Sequence, residues 1–156
     1  MRVDSIMSKT VATCSPQDSL EQAAMLMWQN DCGCLPVCSA DGRIAGIITD
    51  RDICMCALLE GTGLRDQQVA TAMAPDVLCC SPDDSPATAE RKMAEGKVRR
   101  LPVVSDNGVP LGVVSLADLA REAARQQNAS RHDISCSEVC STLAAICTPP
   151  ADGRAA

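Results

Sequence analysis

Two hydroxyl–carboxylate pairs are the first candidates for chemistry in this 156-residue chain: Thr49 with Asp52, and Ser115 with Asp118. Each pair follows an apolar run, Gly46-Ile47-Ile48 or Gly112-Val113-Val114. At the start of a helix this spacing makes a cap, because the hydroxyl accepts the N–H of the third residue and a first-turn carboxylate meets the positive end of the helix dipole. A helix that begins where a strand ends can also turn its first N–H groups toward an anion. Lys97, Arg99 and Arg100 lie ahead of the second pair, and Arg51 lies inside the first. Neutralising a phosphate and forming a solvated basic edge both suit such residues.

Thiol chemistry is the second candidate. Eleven cysteines, an odd number, follow no secreted disulfide spacing. In a reducing cytosol most are expected to be small buried hydrophobes. Cys14 and Cys38 fall on two expected strands of one repeat, where a disulfide or redox response is conceivable; the matching positions are Cys80 and Val104. Cys32 with Cys34, and His132 with Cys136 and Cys140, are conceivable zinc ligands, but neither set has paired Cys-x₂-Cys spacing, so no metal is expected. Cys136 and Cys140 are expected on the core-facing stripe of a last helix, with His132 exposed ahead of it. The single histidine has no nucleophile placed beside it in the sequence, so no enzyme is expected. A net charge of −6, no Phe or Tyr and one Trp, Trp28, argue against nucleic acid as a partner. No run approaches the ~18 apolar residues of a membrane span, and the first residues lack a signal-peptide apolar region. A soluble cytoplasmic protein with no membrane partner is expected.

The elements that must position these residues come in duplicate. Laying residues 7–53 over 73–119, a shift of 66 without gaps, matches about a third of positions, among them Cys14-Ser15-Pro16 with Cys80-Ser81-Pro82 and Leu35-Pro36-Val37 with Leu101-Pro102-Val103. Each copy reads as a strand (10–14 or 77–80), a helix capped by Ser15 or Ser81 with Pro at its first position, a strand, a hairpin turn at Asp41-Gly42 or Asn107-Gly108, a return strand, and a helix from 50 to about 59 or 116 to about 127. The fold class is therefore α+β, two tandem β-α-β-β-α modules expected to pack as a pseudo-twofold pair. The modules span 1–60 and 69–127, joined by a polar linker at 61–68. A tail, 128–156, holds a polar link (128–134), a short helix opened by Ser135-x-x-Glu138 and stopped at Thr148-Pro149-Pro150, and an end (151–156) expected to be disordered.

These residues, in order, resemble the CBS-domain pair, also called the Bateman module: Gly46-Ile47-Ile48-Thr49-Asp50-Arg51-Asp52 after Leu35-Pro36-Val37 in one copy, and Gly112-Val113-Val114-Ser115-Leu116-Ala117-Asp118 after Leu101-Pro102-Val103 in the other. The resemblance covers about residues 3–127. It implies two clefts between the copies, binding of an adenine nucleotide (AMP, ADP or ATP) with no cofactor required, a homodimer, and a regulated partner protein that the sequence does not identify. By resemblance, Thr49, Arg51, Asp52, Val11, Gly33 and Cys34 would line one site and Ser115, Asp118, Val77, Arg99 and Arg100 the other, with Asp52 and Asp118 accepting ribose hydroxyls and an aliphatic slot holding the base. Without aromatics to stack on, binding is expected to be micromolar, about −8 kcal/mol or weaker. Arg51 against Ala117, and Gly33-Cys34 against Arg99-Arg100, make the two sites unequal. The alternative is a thiol-based redox or stress-response protein that uses the scaffold without nucleotide.

Overall fold

The computed structural model describes residues 1–127 and 132–149. Residues 128–131 of the polar link, and the end at 151–156, lie outside that set. Two compact units are formed, one from Thr10–Val77 with Val104–Pro110, the other from Met1–Lys9, Leu78–Val103 and the chain from Leu111 onward.

The first of these units holds α1 (Leu20–Gln29), β1 (Cys34–Cys38), β2 (Ile44–Thr49), α2 (Asp50–Glu60) and the short α3 (Val69–Ala72). β1 and β2 pair antiparallel with Cys34 opposite Thr49 and Val37 opposite Gly46. Gly42 closes the hairpin at φ +78°, a left-handed conformation that L side chains adopt at a cost. The core gathers Leu20, Ala23 and Met27 of α1 with Leu35, Val37 and Ile48 of the sheet and Ile53 of α2. The other unit repeats this with α4 (Pro86–Gly96), β3 (Arg100–Val104), β4 (Pro110–Ser115) and α5 (Leu116–Gln126), and adds α6 (Cys136–Cys147). Its core joins Met93, Leu101, Val103, Val114 and Leu119 to Ile134, Val139 and Ile146.

The expected first strands at 10–14 and 77–80 do not form. Each is reduced to one parallel bridge, Cys14 with Val37 and Cys80 with Val103. The return strands take a different edge partner. Ile47 exchanges backbone hydrogen bonds with Ala74 at 3.0 and 2.9 Å, and Val113 does the same with Ser8 at 3.0 Å both ways. This edge explains the glycine of each apolar run. A Cβ on Gly46 would meet the Ala74 carbonyl at 3.0 Å, and one on Gly112 would meet the Ser8 carbonyl at 2.8 Å. Backbone cannot step aside as a side chain can, so only glycine admits the extra strand segment.

The helix following Ser-Pro starts later than expected. Ser15 N–H donates to Asp18 Oδ2 at 2.8 Å while Asp18 N–H donates to the Ser15 carbonyl at 3.1 Å, closing a separate turn. Ser81 and Asp84 make the same turn. The true caps are Ser19, in a reciprocal capping box with Gln22, and Ser85, with Pro86 at the first helical position. α6 forms as expected, with a capping box between Ser135 and Glu138.

The cysteines depart from expectation. Only Cys14, Cys34 and Cys80 are buried, and Cys54, Cys136, Cys140 and Cys147 are exposed. On α6 the buried stripe runs through Val139, Thr142 and Ile146, which leaves Cys136 and Cys140 outside it. On α2 only Ile53 is buried, so the apolar run that follows it faces outward. No helix among the described residues is long and apolar enough to cross a membrane.

One buried group is poorly served. Glu90 of α4 is buried, and its Oε1 has no hydrogen-bond partner among the described residues. Burial, and secondly the charge of Glu138, raise its pKa above the ordinary 4.5. A folded-state pKa above the unfolded one favours folding at low pH, and that benefit is lost as pH rises through the folded value. Thermal unfolding of wild type and Glu90→Gln between pH 5 and 8 is therefore expected to show a gap that widens with pH, the Gln variant melting higher at pH 7 to 8; parallel curves would contradict this assignment.

Candidate functional site

Each hydroxyl–carboxylate pair stands at a junction between strand and helix, and the two junctions are built alike. In the first, Asp52 N–H donates to Thr49 Oγ1 at 3.2 Å, and Asp52 Oδ2 accepts from Thr49 N–H at 2.9 Å and Thr49 Oγ1 at 2.7 Å. The Gly33 carbonyl accepts the first helical N–H, that of Asp50, at 3.3 Å. In the second, Asp118 N–H donates to Ser115 Oγ at 3.2 Å, Asp118 Oδ2 accepts from Ser115 N–H at 2.8 Å and Ser115 Oγ at 2.5 Å, and the Arg99 carbonyl accepts Leu116 N–H at 2.9 Å. Both are full capping boxes in which aspartate takes the place usual for glutamate.

This changes what the junctions offer a ligand. The amides of Thr49, Asp50, Arg51 and Asp52 all have acceptors in place, that of Arg51 being Asp50 Oδ1 at 2.8 Å. The free N–H groups expected to receive phosphate are thus already engaged in the first junction. In the second, the amides of Ser115, Leu116 and Asp118 are engaged likewise. What these junctions can offer a ligand is therefore mainly side chains rather than the engaged helix amides.

The carboxylates differ. Asp52 Oδ1 accepts no hydrogen bond among the described residues, whereas Asp118 Oδ1 is taken by Arg121, one turn further along α5. The residue at the position matching Arg121 is Met55. The sequence signal for this difference is the i,i+3 spacing of Asp118 and Arg121 on a helix, which lies partly outside the motif at 115–118.

The second junction borders a cavity of about 340 Å³, lined by Arg99 and Arg100, by Ser115, Leu116, Ala117 and Ala120 of the α5 start, and by Val139 and Leu143 of α6. That volume is at the small end for a ligand site. Of the five residues expected here, the cavity unites Arg99, Arg100 and Ser115; Asp118 is not in its lining, and Val77 belongs to the other unit. The α6 wall had no counterpart in the repeat and was not foreseen. Lys97, Arg99 and Arg100 are exposed, as a solvated edge would be, and two of them make surface contacts. Lys97 Nζ donates to the Thr148 carbonyl at 2.9 Å and Arg99 Nη2 approaches Cys147 Sγ at 3.9 Å.

In the other unit, Gly33, Cys34 and Thr49 are brought together by the β1–β2 register and the Gly33 hydrogen bond, with Asp52 held to Thr49. Val11 is half-buried and Arg51 is exposed. A cavity of about 330 Å³ in that unit lies along α1 and is lined by Asp18, Glu21, Gln22, Met25, Leu26 and Gln29, none of them motif residues.

Cys14 and Cys38 are both free thiols. Burial first, then the charge of Asp18, pushes the Cys14 thiol up to about 12, and burial raises Cys38 as well. Such thiols hold little thiolate at neutral pH, and thiolate is the reactive form. Among the described residues, no three His, Cys, Asp or Glu side chains gather to hold a metal ion.

The capping geometry carries a direct consequence. Thr49→Ala removes the acceptor of Asp52 N–H and a donor to its carboxylate, and is expected to lower stability by about 1 kcal/mol in urea unfolding; Thr49→Ser, which restores the hydroxyl, should recover most of it, and equal loss in both variants would exclude the cap as the cause.

Comparison with known proteins gives consistent relatives. The family model for the CBS domain matches twice, at residues 3–58 and 68–125. The CBS domain-containing protein YhcV of Bacillus subtilis is 38% identical over 120 residues, covering 76% of this chain and 82% of its own. Hypoxic response protein 1 of Mycobacterium tuberculosis is 36% identical over 121 residues, covering 74% and 80% respectively. Among solved structures, a CBS domain pair in complex with 5′-methylthioadenosine and S-adenosyl-L-methionine superposes with a TM-score of 0.71 at 25% identity, covering 78% of this chain and 94% of the other.

Proposed function

The chain belongs to the CBS-domain family, and from that premise we propose that it is a non-catalytic regulatory module whose ligand is an adenine nucleotide, AMP, ADP or ATP. The observation that carries the reading is the cavity at the start of α5, where two arginines, Arg99 and Arg100, face an otherwise aliphatic wall of Leu116, Ala117, Ala120, Val139 and Leu143. An aliphatic surface suits a base or sugar, and paired guanidinium groups suit a phosphate chain. The ligands named for the solved CBS pair share the adenosine moiety and carry no phosphate, so they support the adenosine part of this reading. Asp52, with one oxygen unused, is the better placed of the two carboxylates for a ribose; Asp118 would first have to release Arg121, whose side chain is mostly exposed.

The same reading includes a homodimer. α1 turns Met25 and Trp28 outward, and α2 turns Met55, Leu58 and Leu59 outward, with Trp28 85%, Leu58 73% and Leu59 75% exposed. A shift of 66 residues places Arg91, Ala94, Arg121, Ala124 and Arg125 at the matching positions. Where one repeat has an ordinary charged surface, the other has large apolar side chains in stripes of i,i+3 and i,i+4. Such stripes mark a surface that is covered in the working state, and a second copy meeting it by a twofold axis satisfies both copies at once.

Two measurements test this. In a thermal-shift screen, a bound nucleotide stabilises the native state by about 2.7 kcal/mol at one hundred times its Kd; wild type is expected to respond to at least one of AMP, ADP and ATP, Arg100→Ala to respond much less, and Asp52→Ala to lose part of the response. No response to any of the three would remove the nucleotide reading. By light scattering after gel filtration, wild type is expected at twice the chain mass, and the double change Leu58→Glu with Leu59→Glu at the chain mass; a monomeric wild type would overturn the dimer.

A further inference from the structure

The eleven thiols of this chain differ in what their surroundings allow. Cys14, Cys34 and Cys80 are buried. Burial also raises the pKa of Cys38 and Cys79, so these two hold little thiolate, the form that binds a metal. Cys56 is engaged within its unit, giving its S–H to Gln67 Oε1 at 2.8 Å. Four thiols are exposed: Cys54, Cys136, Cys140 and Cys147. Of these four, only Cys136 and Cys140 stand one helical turn apart, both on α6.

Residues four apart on a helix lie on one face, with Cβ atoms about 5–6 Å from each other. The core-facing stripe of α6 is Val139, Thr142 and Ile146, so both thiols stand clear of the packing that seats the helix. Cys147 lies seven residues beyond Cys140, about 10 Å along the axis, and its sulfur is met by Arg99 instead. His132 does not join the pair, since among the described residues no three His, Cys, Asp or Glu side chains gather to hold an ion. A tetrahedral ion such as zinc asks for three or four protein ligands. A soft monovalent ion is satisfied by two thiolates, one on each side of it.

The start of the helix adds a second feature. Cys136 is the first residue of α6, a helix of 12 residues. Ser135 and Glu138 satisfy each other, but the amides of Cys136 and Ser137 have no acceptor among the described residues. Before α2 the corresponding amides, of Asp50 and Arg51, are both engaged. Open amides at the positive end of a helix dipole favour a negative group. A copper(I) ion between two thiolates carries one negative charge.

We propose that Cys136 and Cys140 form a two-thiolate site for one soft monovalent metal ion, Cu(I), at the exposed start of α6. Two thiols and one Cu(I) give the bis-thiolate complex and two protons, which pass to solvent; no electron is transferred. Both sulfurs are exposed, so the ion enters and leaves without movement of the fold. The site lies outside both family matches, which end at residue 125, and it is independent of the nucleotide reading.

The full chain, reduced and kept without oxygen, is titrated with Cu(I) supplied as its coloured bathocuproine disulfonate complex. Wild type is expected to withdraw one more Cu(I) per chain than Cys136→Ser or Cys140→Ser, while Cys54→Ser and Cys147→Ser match wild type. Loss of either sulfur is expected to weaken retention about ten-fold or more, since even outer-shell partners of a metal contribute about that much. Both positions are exposed, so equal melting temperatures are expected and show that the serine variants are folded. In the same samples, maleimide labelling read by mass spectrometry should find Cys136 and Cys140 protected by Cu(I) and Cys147 labelled as before. Equal uptake by wild type and both serine variants, or equal protection of Cys147, would overturn the pair as the site. Copper that raises the particle mass of wild type but not of Cys140→Ser would replace it with a site shared between two copies. Zinc(II) bound at one per chain and lost in either variant would exclude the choice of ion.

Discussion

The structure depends on one junction, built twice: a strand with glycine at its third residue that ends in a hydroxyl residue and passes directly into a helix. The glycine lets the Met7-Ser8 or Met73-Ala74 segment lie against the strand at backbone contact distance. The hydroxyl and its aspartate then satisfy three polar groups of the helix start between them, and the residue before the preceding strand accepts a fourth. No loop intervenes, so the direction of each second helix is set by the sheet itself. Gly33 and Arg99 are each one backbone hydrogen bond from this junction, and Cys34 and Arg100 follow them in the chain.

Much of this was legible because it is local. Capping boxes, Asp-Gly and Asn-Gly turns and the 66-residue repeat are statements about neighbouring residues, and the structure places α2, α5, α6 and both hairpins accordingly. The errors lie where two local signals compete or where a distant partner decides. Ser15-Pro16 and Ser19-x-x-Gln22 are both helix openings; the second wins because Asp18 closes the first into a turn of its own. The first strand is a single bridge on β1 or β3, and the edge of the return strand is filled by the opening segment of the other repeat, a pairing between residues about 27 or about 105 positions apart that no local pattern announces. The cysteines misled for a related reason: an apolar run signals burial only where another element covers it, and on α2 Cys54, Met55, Leu58 and Leu59 are left uncovered within their unit.

The repeat also separates what the fold requires from what this chain does. Leu35 and Leu101, and Val37 and Val103, are shared and fully buried, and Ile48 against Val114 or Ile53 against Leu119 keeps a buried position apolar. Differences that change the surface lie on the helix faces and around the junctions, Met55 against Arg121 among them. Met55 against Arg121 leaves one aspartate with an unused oxygen and occupies the other, and turns one helix face apolar and the other cationic. A single exchange thereby alters a candidate ligand contact and a candidate protein contact together. That is a reason to regard the two repeats as a divided pair, one equipped for association and the other for charge.

α6 extends the same division. This added helix is held by its buried Val139 and Ile146, and the basic residues near it, Lys97, Arg99 and Arg100, have Asp31, Gly33 and Cys34 as counterparts in the other repeat. Arg100 lines the cavity beside Arg99, while Lys97 and Arg99 touch the residues that end α6, so the added charge of this repeat is gathered where the added helix meets the start of α5.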